Sequence, residues 1–296
     1  MSWGDRGVND VSSVGSAGLA PMAPVFLVDL FPGLHAELMT LLRGLTPEDW
    51  SRPTACARWS VKDIAAHLLD GSLRRLSFGR DGLTAAPDVA ISSYPDLVGY
   101  LNRLNAEWTA AARRLSPQVL IELLDFTSGP VHAFFRSLDP HAPALFGVAW
   151  AGEEASQNWF DIGREYTERW LHQQQIREAV CAEGLTGRRW LHPTLDIFVR
   201  ALPFTYQAVD AAVGETVRLT IEGEAGGVWT LARAPEGWGI FAGSRAGPAA
   251  AVSLDQGTAW RLFSKGLDRE SARHSIRIEG DRRLGEPVLG TLAVMA

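Results

Sequence analysis

The sequence predicts an up-and-down helical bundle followed by a smaller α+β domain, and three observations carry that reading. The first 185 residues show helical apolar spacing and helix-start signals throughout. After Gly184 the texture changes to short alternating runs separated by Gly-rich turns. At 296 residues and 46% hydrophobic content, the chain has material for more than one packed layer.

Residues 1–24 are rich in Gly, Ser and Ala and lack the basic start and apolar block of a signal peptide, so they read as a flexible arm. The helical part spans 25–185. Its first helix carries Leu34, Leu38, Leu41 and Leu42, with Pro32 setting its start. Thr46-Pro47-Glu48-Asp49-Trp50 reads as a single turn. Ser60 with Asp63 forms a capping box, Trp59 with Ile64 a hydrophobic staple, and the helix behind them runs to about Phe78. Residues 79–93 read as loop, Asp96 to Leu115 as helix, and Pro117 starts another towards Leu138. The longest stretch, about Glu153 to Ala182, reads as an amphipathic helix.

The α+β part spans 190–296. It opens with a helix from Pro193 to Val213, kinked near Pro203. Alternating runs at Val217–Glu222, Val228–Arg233, Trp238–Phe241 and Ala250–Leu254 follow as strands. A helix from Gln256 to Lys265, a strand at Ser275–Glu279 and a helical tail from Asp281 complete it.

Composition excludes several functions. The net charge of −6 comes with dispersed arginines, which gives no concentrated basic face for nucleic acid. No run approaches the ~20 apolar residues of a membrane span. Two cysteines, Cys56 and Cys181, with no CxxC point to a reducing, cytoplasmic setting. Neither has a charged neighbourhood that would activate it as a nucleophile, and both read as buried free thiols. The assembly expected is a monomer or homodimer.

The residues with chemical promise are His67, Glu168 and His172. Glu168 and His172 are four apart, so a helix stacks them on one face where they can grip one ion. His67 lies mid-helix on an element that can face them, as ligands do in helical bundles. Three such ligands are a set that zinc accepts, and they leave a coordination position for substrate. Glu165 shares the stripe, but two turns, roughly 10 Å of rise, separate it from His172. Spacing alone leaves open a solvated ion pair and an ordinary core histidine. His35, His132, His141, His192 and His274 have no partner at ligand spacing and read as structural or exposed.

Leu45-Thr46-Pro47-Glu48-Asp49-Trp50, Pro53-Thr54, Trp59-Ser60-Val61-Lys62-Asp63-Ile64-Ala65-Ala66-His67-Leu68 and Glu168-Arg169-Trp170-Leu171-His172 together resemble the mycothiol-dependent maleylpyruvate isomerase family, one of the DinB-like metal-binding four-helix bundles. The likeness covers about residues 25–183. It implies that His67, Glu168 and His172 match the family's metal ligands, holding Zn²⁺ or another divalent metal. Val217 to Gly223, Ala259-Trp260-Arg261-Leu262-Phe263 and Ile278-Glu279-Gly280-Asp281 resemble the sterol-carrier-like domain that accompanies such bundles. One departure is the run Gln173, Gln174 and Gln175, where many members place a second His or an Asp.

The resemblance implies a low-molecular-weight thiol such as mycothiol as cosubstrate and a small electrophilic substrate. The outcome would be cis-trans isomerisation of a maleylpyruvate-like compound or S-transfer, both from one activated nucleophile. A dianionic substrate needs cations, for which Arg74, Arg75, Arg164, Arg169, Arg245 and Arg261 are candidates. The residues also admit two other functions: a small-molecule or lipid-binding protein without catalysis, and a thiol-independent metal hydrolase.

Overall fold

A computed structural model of the chain describes residues 19–84 and 86–294. Its helical part contains α1 (Phe31–Arg43), α2 (Val61–Arg74), α3 (Tyr94–Ala112), α4 (Pro117–Ser137) and α5 (Asn158–Ala179). Each long helix but α5 starts on a local signal. Pro32 sits in the first turn of α1, and Ser93 and Ser116 cap α3 and α4 ahead of their own prolines. At the head of α2, Ser60 N donates to Asp63 Oδ2 at 3.0 Å while Asp63 N donates to Ser60 Oγ at 3.3 Å.

Four of these helices close a ring in the order α1, α4, α2, α5, and α3 lies outside along α2. Trp108 of α3 donates its indole N–H to the Ala66 carbonyl at 2.8 Å, which docks the outer helix. Beyond Arg74, α2 widens into a π turn over Arg75–Arg80 rather than continuing as α-helix to Phe78. Gly79 lies in that turn because a Cβ there would meet the Phe134 ring at 2.6 Å.

The longest helix departs from expectation. Instead of being amphipathic, α5 is buried from Tyr166 to Arg177 except at Glu168 and Arg169. It packs on α1 and α2 on one side and on α6 (Arg188–Phe198) on the other, so no face is left for solvent. Most of its buried polar groups are hydrogen-bonded, as burial demands: Gln173 donates to the Leu34 carbonyl, and Arg177 to the carbonyls of Glu37 and Glu183.

The helix expected from Pro193 to Val213 is shorter and earlier. It comprises α6, a 3₁₀ turn at Val199–Ala201 and α7 (Leu202–Thr205), with Pro203 in the first turn of α7. The sheet is six-stranded, in the order β1-β4-β3-β2-β5-β6. Its strands are β1 (Ala20–Pro21), β2 (Thr216–Glu222), β3 (Gly227–Ala234), β4 (Gly237–Ala242), β5 (Ala250–Asp255) and β6 (Ile276–Gly280). Only the β2–β5 pairing is parallel. It needs a crossover, which the β3–β4 hairpin and the segment after it supply. Helix α8 (Gln256–Phe263) follows β5 under an Asp255 cap, and α9 (Arg269–Arg273) and α10 (Arg282–Gly285) flank β6. The arm expected through Pro24 ends in an edge strand, since Ala20 and Pro21 pair with Ala242 and Phe241. Residues 1–18 of that arm lie outside the described residues.

The larger core crosses residue 185 without a break. It joins Phe31, Phe135, Tyr166 and Trp170 to Leu219, Leu231 and Val252 of the sheet and to Trp260 of α8. Trp170 and Trp260 meet edge to face at 5.4 Å, a contact of the aromatic kind worth about 1 kcal/mol beyond its buried area. A second core, with Leu38, Leu42, Ile64, Leu69, Leu120 and Ile176, fills the end of the ring where His67 stands. Among the described residues no helix is long and apolar enough to cross a membrane.

Candidate metal centre

The capping box fixes where α2 begins, and that phase turns His67 towards α5. The one-turn spacing on α5 stacks Glu168 and His172 opposite it. One ligand-type atom from each of the three lies within 4.8 Å of the others. His172 Nε2 is 3.3 Å from Glu168 Oε2, and the two imidazole rings stand at 4.7 Å and 79°. Atoms bound to zinc at about 2.1 Å stand roughly 3.4 Å apart at tetrahedral angles. Closing round an ion therefore asks for side-chain shifts of about an ångström or less. His67 Nδ1 is buried with no hydrogen-bond partner, a donor set short of a guest. The residue types, the spacing and the orphaned nitrogen all fit a divalent ion.

The surroundings prepare the histidines differently. Burial holds His67 well below the ordinary imidazole value, and the neighbouring His172 and Arg74 push the same way. Burial also opposes charge on His172, but hydrogen bonding to Cys56 and Glu168 and the charge of the Glu168 carboxylate outweigh it and lift the group to about 10. A proton on His172 thus balances the Glu168 carboxylate in the place a metal cation would.

Three residues that spacing did not single out complete the centre. Gln175 Oε1 lies 2.8 Å from His172 Nδ1, so Nδ1–H donates to it and Nε2 is left facing Glu168 and His67. The Cys56 thiol donates to the same oxygen at 3.2 Å. Trp59, expected as a staple, lies over both rings, 4.9 Å from His67 and 6.1 Å from His172. Cys56 and Trp59 are delivered by a tight loop in which Trp59 N donates to the Cys56 carbonyl and Thr54 N to the Trp59 carbonyl. Cys56 is half-buried and Cys181 exposed, both as free thiols, so neither is the inert buried thiol expected. A polar residue three positions after a helical histidine was the available signal for Gln175.

Glu165 is engaged elsewhere. It accepts from Arg75 at 2.9 Å, with Arg164 and Arg169 at 3.9 and 4.0 Å. Arg75 also grips Asp161 with two bonds of 2.6 and 2.8 Å. The remaining clamp candidates are paired as well: Arg74 with Asp70 at 2.9 Å, Arg164 with Asp161 at 2.5 Å and Arg261 with Glu178 at 2.5 Å. Of the histidines read as structural, His35 contacts Asp125 at 3.1 Å and His192 the Ala225 carbonyl at 2.9 Å.

Residues 31–177, which contain the whole centre, match the family model described as the mycothiol maleylpyruvate isomerase N-terminal domain. The helical half of this chain belongs to that family. The structure is also similar to a solved mycothiol-dependent maleylpyruvate isomerase and to a mutant of it, each at TM-score 0.50 and 12% identity. Both likenesses cover 79% of this chain and 86% of the other. At that identity the similarity is one of fold, and at 79% of the chain it reaches beyond the helical half. No curated protein sequence matches the chain.

Proposed function

We propose that the chain is a metal-dependent enzyme that uses a low-molecular-weight thiol, of the mycothiol kind, on a small electrophile. The observation that carries this reading is the convergence of His67, Glu168 and His172 inside the family domain. These three side chains would hold a zinc or other divalent ion. Such an ion supplies Lewis acidity, which favours the thiolate of a bound thiol near neutral pH.

The protein's own groups do the positioning. Gln175 fixes the ring of His172 and its tautomer, Glu168 supplies the single negative charge, and Trp59 covers the histidines with an aromatic wall that sheds water. Thiol addition to a cis double bond leaves a single bond free to rotate. Departure of the same thiol with re-formation of the double bond gives the trans isomer. A thiol that stays attached makes the reaction an S-transfer.

Cobalt substitution followed by thiol titration tests the reading. It predicts about one metal per chain and a new sulfur-to-metal charge-transfer band on adding thiol. Metal that remains stoichiometric in the His67→Ala, His172→Ala double variant would sink the assignment. Full turnover of electrophile with no thiol present would point to hydrolysis instead.

A further inference from the structure

We propose that the interior of the helical ring also holds a binding site for a small monovalent anion, a halide or a carboxylate head, on Arg169 and His132. The site is separate from the metal centre and does not depend on how that centre is read. It lies among α1, α4 and α5 in a cavity of about 20 Å³ walled by Phe31, Leu38, Ser128, His132, Arg169 and Gln173. That volume admits a halide ion or one oxygen of a carboxylate head. Sulfate and phosphate are too large for it.

Two wall residues carry buried nitrogens without any hydrogen-bond partner, Arg169 Nε and His132 Nε2. Ten side-chain atoms among the described residues are in this position, and these two belong to wall residues of one cavity, on different helices. The other polar wall residue on α5 is already committed, since Gln173 donates to the Leu34 carbonyl at 3.1 Å and accepts from Arg177 at 3.2 Å. His35, which also lines the cavity, is taken up by Asp125.

Charge decides between an anion and a neutral guest. Three guanidinium groups, Arg75, Arg164 and Arg169, share two carboxylates, Asp161 and Glu165. One positive charge is left over. Arg169 is the weakly paired member, with its nearest carboxylate at 4.0 Å and a 3.3 Å bond to the Ser72 hydroxyl. A buried cation without a counter-ion is destabilising, and an anion beside Arg169 and His132 relieves that where a water relieves only part of it.

Thermal unfolding of the full chain in chloride, formate and gluconate at matched ionic strength tests the proposal, with gluconate as the anion too large to enter. Chloride or formate is expected to raise Tm saturably by a few degrees over gluconate. Whichever acts at lower concentration identifies the halide or the carboxylate as the ligand class. His132→Phe, which adds bulk to the cavity wall and removes the imidazole nitrogen, should abolish the difference, and so should Arg169→Gln. Because Arg169 also belongs to the ion cluster, chloride NMR line broadening of the wild type against His132→Phe gives an independent reading. Equal Tm in all three salts, or broadening unchanged by His132→Phe, would overturn the assignment and leave an ordered water in the cavity.

Discussion

Gln175 accepts a hydrogen bond from His172 Nδ1 at 2.8 Å, and with it the orientation of a proposed metal ligand is set from within its own helix. The acceptor is an amide, not a carboxylate, so it orients the ring without adding negative charge. Replacing it by Leu frees the imidazole to rotate and leaves Nδ1–H and the Cys56 thiol unpaired. Gln175→Leu should weaken metal binding about 10- to 100-fold, measured by competition with a chromophoric chelator. Wild-type affinity in that variant would show that Gln175 has no such role.

The two glutamates of the α5 stripe should behave oppositely. Glu168→Gln removes the only carboxylate of the proposed ligand set and should abolish stoichiometric metal, read by elemental analysis, while the fold survives. Glu165→Gln should keep the metal yet lower stability by about 3 kcal/mol, because it leaves Arg75 buried with one partner fewer. Metal loss in the Glu165 variant, with metal retained in the Glu168 variant, would reverse the assignment.

Glu165 also sets an acid limit. Burial raises its carboxyl, but Arg75, Arg164 and Arg169 overcome that and hold it at about 2, below its ordinary value near 4.5. The folded chain thus keeps this group ionised to lower pH than the unfolded chain does. Its stabilising contribution is complete above about pH 4.5 and disappears as pH falls towards 2. Urea unfolding at a series of pH values between 6 and 3 should show a decline that Glu165→Gln flattens; parallel curves for the two proteins would refute it.

Trp59 stands close enough to both histidines to report on what they bind. Cobalt or copper should quench a distinct part of the chain's tryptophan fluorescence, and Trp59→Phe should remove that part while leaving metal stoichiometry unchanged. The same quench in wild type and variant would place the ion elsewhere.

Much of this was legible from local signals. Ser60 with Asp63 gave the first residue of α2, and with it the direction of His67; the i,i+4 spacing separated Glu168 from Glu165 before any contact was visible. What remained hidden was set by packing. The burial of α5 on all sides reverses the amphipathic reading, because its polar residues are satisfied by partners as distant in sequence as Leu34 and Glu37. The strand at Ala20–Pro21 has no alternation to announce it and exists because β4 offers an open edge. Gln175 and Cys56 are 119 positions apart, and no spacing rule could bring the thiol to the amide oxygen that also holds His172.

A helix without a free side has consequences for how such a site can change. Along α5 almost any altered side chain meets a neighbour, so two of the three candidate ligands sit on a scaffold that tolerates little substitution. The loop at Thr54–Trp59 is different: Ala55, Ala57 and Arg58 are exposed, yet their neighbours Cys56 and Trp59 touch the centre. Variation in what this protein accepts has most room to arise in those few loop residues, and a library aimed at new substrates should start there and leave α5 untouched.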